Sequence, residues 1–298
     1  MHRLSILIAL GLLLTACQNT PAPASSAAST ADATATTEPE SAAARLDRIL
    51  VDPRRSQANR ERDRYRHPAE TLRFFGIEPG QQVLEITPGA GWYAEILAPY
   101  LAGSGEYTAA IWDDSAPNFP PFYADLNRQL RERLASDSAY YGAARLQPFR
   151  SKEPSFATEP RFDAVLTFRN VHNWAIAGNA EAWFHGFYAA LKPGGVLGVV
   201  DHRAKPGTTL EATLKSGYLT EDYVIGLATA AGFVLEARSE INANPADDSQ
   251  HPAGVWSLPP TLRLKEQDRD KYLAIGESDR MTLRFRKPAG DVLHATED

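Results

Sequence analysis

Apolar residues along this chain gather in short runs of strand length that alternate with longer stretches of helical period. The runs are QVLEI (Gln82 to Ile86), EYTAAIW (Glu106 to Trp112), Ala144 to Pro148, Phe162 to Phe168 and Gly195 to Asp201. A helix from Trp92, a second from Phe122 to Ser136 and a third from Ala180 to Leu191 fill the intervals. A helix from Thr220 to Ala231, a strand from Val234 to Ile241 and the run RMTLRF (Arg280 to Phe285) complete the series. Strands alternating with helices fold as βαβ units, so the pattern predicts an α/β protein. Its expected core is a mixed seven-stranded sheet, with five parallel strands, a sixth, a last antiparallel one, and helices on both faces.

Two segments break this rhythm. Arg45 to Arg66 is charge-rich and helix-like, and HPAETLRFFGI continues it with a proline at a helix start, so residues 45–80 read as an N-terminal helical cap. Its arginines (Arg54, Arg55, Arg60, Arg62, Arg64, Arg66) read first as a solvated face, with contact to an anionic substrate as the alternative. Within residues 81–298, the stretch 242–279 is irregular and Pro-rich (NPADDSQHPAGVWSLPPTL). A segment of that length is either a functional lid or a poorly ordered insertion.

The chain opens MHRLSILIALGLLLTACQN, a short basic region, an apolar run from Leu4 to Leu14 and small residues before Cys17. That is the form of a secretory signal. As a helix the run covers roughly 16 Å, about half of a roughly 30 Å hydrocarbon core, so a permanent span is the weaker reading. Leu14-Thr15-Ala16-Cys17 resembles the bacterial lipobox, which implies lipidation at Cys17, removal of what precedes it, and an exported, periplasmic protein held at a membrane. Residues 18–44 are mostly Ala, Ser, Thr, Pro and Glu without an aromatic residue, a composition that cannot offset its chain entropy, and they read as a flexible tether. With one cysteine in the chain, no internal disulfide can form.

A net charge of −6 removes the electrostatic basis of most nucleic-acid binding. The seven histidines lack paired spacing with one another or with cysteine, so no metal site is expected. No G-x-S-x-G elbow points to a serine hydrolase. His67, His185 and His251 read as structural or surface residues, and Trp174, Trp183 and Trp256 as core.

The chemistry concentrates at the first strand-to-helix turn, VLEITPGAGWYAEIL. Gly89 and Gly91 allow the backbone to approach a ligand, and the following helix presents free N–H groups. Gly89 to Ala94 also satisfies the dinucleotide pattern G-x-G-x-x-G/A, although Trp92 and Tyr93 are bulky where a pyrophosphate would cross.

Four stretches together resemble the class I S-adenosylmethionine-dependent methyltransferases: VLEITPGAG, IWDDS, FDAVLTFRNVHNW and LKPGGVLGVVDHR, with GYLTEDYVIGLATAAGF extending the likeness to Phe233. Pro88 to Tyr93 match a subgroup of predicted methyltransferases with a PGxGWY turn, and Thr87 stands where the family's first glycine usually lies. The resemblance implies a Rossmann-like fold and S-adenosylmethionine as cofactor, with Glu85, Thr87, Gly89, Gly91 and Asn170 near it and Asp113 on its ribose. Gln147 or Phe149 would stand near the adenine. His172 and His202, after strands at the carboxyl edge, are candidate bases for a small-molecule acceptor, and Asp201 could orient His202.

The expected function is methyl transfer by a membrane-anchored exported protein. A non-catalytic binding module on the same fold, or a nicotinamide oxidoreductase, are the alternatives.

Overall fold

The computed structural model describes residues 40–290 apart from 116, 143 and 151–153. Seven strands form one sheet: β1 (Gln82–Ile86), β2 (Glu106–Trp112), β3 (Arg145–Phe149), β4 (Phe162–Phe168), β5 (Leu191–His202), β6 (Val234–Ser239) and β7 (Arg280–Arg286), in the order β3-β2-β1-β4-β5-β7-β6. Neighbours β1 to β5 are parallel, and β7 runs antiparallel to both β5 and β6. The expected mixed seven-stranded sheet is thus the observed one, with the last strand in sequence inserted between the fifth and sixth.

Both faces of the sheet are covered, which is why its strands read as continuous apolar runs. Successive residues of β1 point to opposite sides. Val83 belongs to the core cluster that holds Leu72, Phe75, Ile96 and Leu97, whereas Leu84 belongs to the one that holds Phe184, Phe187, Leu197 and Phe285. Each such large side chain contributes roughly 1.5–3 kcal/mol on burial.

The cap differs from its expected form. Instead of one charged helix there are three short ones, Ala42–Leu50, Gln57–Arg60 and Asp63–Arg66, followed by Pro68–Phe75. Asp52-Pro53 interrupts the first, and Ser41 and Ser56 cap new starts, accepting from Ala44 N at 3.2 Å and Asn59 N at 3.2 Å. Helix begins at Ala42, three residues inside the stretch expected to be tether. The signal segment, Cys17 and the rest of the tether to residue 39 lie outside the described residues.

The cap also covers the sheet directly. At Gly198 of β5 a Cβ would lie 2.8 Å from the ring of Phe75 and 2.7 Å from Leu166, so the missing side chain is what seats the helix Pro68–Phe75. Residues 242–279 are tied down rather than loose. Asn242 Nδ2 donates to Thr71 Oγ1 and Thr282 Oγ1, both at 3.0 Å, and buried Asp247 accepts from Tyr218 Oη at 2.9 Å and from Asp279 N at 2.8 Å. His251 Nε2 lies 2.8 Å from Asp247 Oδ1, consistent with a structural histidine. Among the described residues, no helix is long and apolar enough to cross a membrane.

Candidate functional site

From β1 the chain winds outward through β2 to β3 and then returns to β4 on the other side of β1. Helices on the two sides diverge there, leaving a crevice over the carboxyl ends of the strands. A cavity of about 810 Å³ occupies it. That lies within the roughly 300–1,000 Å³ of pockets that enclose small-molecule ligands.

The floor is the turn after β1. Thr87 adopts a φ of 46° and Gly89 one of 61°, both left-handed, a conformation that costs a β-branched residue and is tolerated where the surroundings impose it. Thr87 N donates to Ala110 O at 2.9 Å, which anchors the turn to β2, while its Oγ1 is buried without a partner. A Cβ on Gly89 would meet nothing within 4 Å, so the backbone there is open to the cavity. Gly91 does not line the cavity. At φ 89° it closes the turn against Leu130, whose Cδ1 would sit 2.8 Å from an added Cβ.

Beneath the turn, Glu85 is buried and accepts from Tyr107 Oη at 2.6 Å. Burial pushes its carboxyl up to about 8 against the pull of the Tyr107 bond and of Arg66. Asn170 holds the neighbouring strand ends together, donating from Nδ2 to Ile86 O at 3.0 Å and to Thr167 Oγ1 at 3.3 Å.

Across the cavity stand the histidines. Asp201, fully buried, accepts from His172 N at 3.1 Å and His202 N at 2.7 Å, and its Oδ1 lies 2.8 Å from His172 Nδ1. An ionised carboxylate only accepts, so the His172 proton sits on Nδ1 and Nε2 is left free to take another. Asp201 therefore orients the ring of His172, where sequence reasoning paired it with His202. The His202 ring is 4.9 Å from that of His172, with its Nδ1 2.5 Å from Ser278 Oγ. Burial, then the nearby His172, Arg169, Arg280 and Arg66, hold His202 well below the usual histidine range, and it is neutral at pH 7.

His172, Asp201 and His202 have ligand atoms within 4.8 Å of one another, a grouping that sequence spacing did not suggest because β4 and β5 bring it together. The carboxylate is already committed to three N–H donors, and the cationic groups nearby are arginines of the cavity wall.

One wall is aromatic and apolar, formed by Ile111, Trp112, Phe122, Tyr123 and Trp174. Trp183 is pure core, stacked on Trp174 at 4.2 Å, whereas Trp174 and Trp256 also line the cavity. The insertion supplies Val255, Trp256, Pro259, Pro260, Thr261 and Arg263 to the lining.

The other end is cationic. Arg62 and Arg66 of the cap line the cavity with Arg169, so for these two the reading as a solvated face is overturned. Arg55 is buried too, in bidentate contact with Asp63 at 2.6 and 2.8 Å.

The chain matches no protein-family model and no curated protein sequence. Solved structures do resemble it. A putative sarcosine dimethylglycine methyltransferase from Galdieria sulphuraria superposes with TM-score 0.51 at 14% identity, covering 76% of this chain and 85% of its own. The [4+2]-cyclase SpnF gives TM-score 0.52 at 15% identity, covering 76% and 81%. The chain has the class I methyltransferase fold. Identities this low carry the fold, and the chemistry has to come from the residues.

Within the methyltransferase fold the turn residues Glu85, Thr87 and Gly89, together with Asn170, His172 and His202, share the one cavity. Asp113 does not join them. Its carboxylate accepts from Ser115 Oγ at 2.5 Å and Ser115 N at 3.2 Å and pairs with Arg150 at 3.3 Å, and these contacts lower its pKa. Ile111 and Trp112 take the cavity positions at the end of β2. Gln147 donates to Phe156 O at 2.5 Å and Phe149 is buried against Trp183, so neither reaches the cavity. Arg169, beside the quoted Asn170 and His172, was within reach of sequence reasoning as a charge at a strand's carboxyl end. Glu277 and Ser278, both near the end of the irregular stretch, gave no such signal.

Because Glu85 titrates near 8 in the fold and near 4.5 when unfolded, the folded state holds an extra proton between those values and stability falls as pH rises through that window. Glu85→Gln keeps an acceptor for Tyr107 and lacks the titration. Urea midpoints should therefore favour the variant increasingly from about pH 5 to about pH 8, by at most roughly 1.4 kcal/mol per pH unit. Parallel pH profiles for the two proteins would refute a neutral Glu85.

Proposed function

We propose that this protein transfers a methyl group from S-adenosylmethionine to a small-molecule acceptor bound in the same cavity. The observation that carries the reading is the open left-handed turn at Thr87 to Gly89, lying at the strand reversal with an aromatic wall on one side and the Asp201–His172 pair on the other.

The residues fit such a cofactor at three points. The Gly89 backbone is uncovered, the buried Thr87 hydroxyl lacks a partner, and Trp112, Phe122 and Tyr123 offer ring faces on which an adenine can stack. When bound, the cofactor supplies a methyl group already activated by its sulfonium. What remains for the chain is to align the acceptor, exclude water and take a proton. Alignment and exclusion fall to the lining residues between Val255 and Arg263, and proximity of this kind is worth roughly 7–11 kcal/mol of barrier. His172, held in one tautomer by Asp201, accepts the acceptor's proton at Nε2. Neutral His202 beside it adds no charge that would oppose protonation.

A second reading, a binding module that keeps the fold without the reaction, is favoured by Asp113, whose carboxylate is turned to Ser115 and Arg150 instead of the place a ribose would occupy. The name of the SpnF cyclase likewise records an activity other than methyl transfer on this fold. Calorimetric titration of the full-length chain in mild detergent separates the two. Methyl transfer expects S-adenosylmethionine and S-adenosylhomocysteine to bind at about micromolar levels, and Gly89→Asn, which tolerates the left-handed backbone and fills the open space, to weaken both by about tenfold or more. No heat at millimolar ligand would leave the binding module.

With an acceptor found by screening with labelled methyl donor, His172→Ala should lower kcat by about 10²–10⁴ with cofactor affinity kept. A kcat within a few-fold of the parent would remove His172 as base.

We propose, further, that the protein is exported and lipid-anchored at Cys17 with the following segment as tether, a reading supported by the apolar run to Leu14 and the LTAC sequence. Cells fed radiolabelled palmitate should label the parent chain and not Cys17→Ser. Equal labelling would refute the anchor.

A further inference from the structure

A chain with a net charge of −6 nonetheless gathers four guanidinium groups around one carboxylate at the cap end of its cavity. Glu277, 3% exposed, is met by Arg62 Nε at 2.7 Å, Arg66 Nε at 3.1 Å and Arg280 Nη1 at 3.2 Å, and Arg169 lies in the same cluster. Burial alone would raise the Glu277 carboxyl, but the surrounding arginines outweigh it and hold the group well below the carboxylate range. One negative charge thus faces four positive ones.

Arg280 finds further acceptors in Ser278 O and Tyr65 O and Arg66 lies over the Trp92 ring at 4.6 Å, but among the described residues no second carboxylate pairs with the cluster. Arg62 Nη2 and Arg66 Nη2 are buried without a partner, and the Arg66 side chain is only 7% exposed. Among the described residues the Arg169 guanidinium makes no hydrogen bond or ion pair. Its backbone is held at φ 61° by N–H donation to Val200 O at 2.7 Å, which fixes it at the cavity wall. The two other acids close by are spent. Glu85 is neutral at pH 7 and occupied by Tyr107, and Asp201 is filled by the backbone and ring of the histidines. Burial brings Arg66 down to about 9 and Arg169 down to about 10, the mark of cations crowded away from solvent.

Buried donors left unpaired are costly, and a guanidinium is the group whose planar fork matches carboxylate and phosphate oxygens. We infer that Arg62, Arg66 and Arg169 bind a carboxylate or phosphate group of the acceptor. The inference rests on the methyl-transfer reading for the ligand's role and on the arginines for its charge. The cavity's aromatic wall and its cationic end are formed by different elements.

The test is calorimetry on the full-length chain in mild detergent, with inorganic phosphate and, separately, acetate as probes, each with and without saturating S-adenosylhomocysteine. Phosphate or acetate should bind in both conditions, the tighter of the two naming the group. Arg169→Gln and Arg62→Gln should each weaken it by about tenfold or more while circular dichroism stays unchanged. Arg62 is 25% exposed, so its variant tests the site even if the other destabilises the fold. Equal binding by parent and variants, or displacement of the probe by S-adenosylhomocysteine, would overturn the inference; in the second case the arginines serve the cofactor's own carboxylate. Phosphate binding without any binding of S-adenosylhomocysteine would sink methyl transfer and leave the anion site standing.

Discussion

The reversal of strand order between β1 and β4 is the constraint on which this molecule is organised. A parallel sheet wound outward in two directions cannot cover its own switch point, so the chain must close it with something else. Asn170 pins the two strand ends together across it, and the cap, the helix Pro121–Ser136 and the stretch 242–279 build walls around it. Depth, lining and access of the cavity all follow from how those three pieces are fastened to the sheet.

Charge is distributed against the grain of that cavity. Acidic groups near it are occupied in place, Glu85 kept neutral by burial and Asp201 filled by N–H donors, whereas the arginines keep their charge and are held apart by Glu277. Glu277 functions as a spacer. It satisfies one face of three guanidiniums and leaves Nη2 of Arg62 and of Arg66 without a partner in the protein.

The sheet was legible because both its faces are buried, so its strands appear as apolar runs that no solvated element would tolerate. Boundaries slipped where other forces entered: the cap breaks at Asp52-Pro53 and restarts on serine caps, although its composition reads as one charged helix. Glu85, Thr87, Gly89, Asn170, His172 and His202 were accessible to sequence reasoning because each stands on, or within a few residues beyond, the carboxyl end of a recognisable strand. Asp113 has that same location yet turns outward, since Ser115 and Arg150 compete for its carboxylate. The convergence of Arg62, Arg66, Arg169 and Arg280 could not be read at all. It exists only because β7, last in sequence, slots in beside β5.

That insertion has a consequence in the three residues that lead into β7. Glu277, Ser278 and Asp279 are consecutive and all buried, and they serve three different clients: the arginine cluster, the His202 ring and Arg203, whose Nη2 lies 2.9 Å from Asp279. Acidity, imidazole orientation and the docking of the insertion are thereby written into one tripeptide. A single-residue shift of register there would scramble all three together, so an insertion or deletion in this stretch would reach the arginine cluster, the imidazole and Arg203 at once.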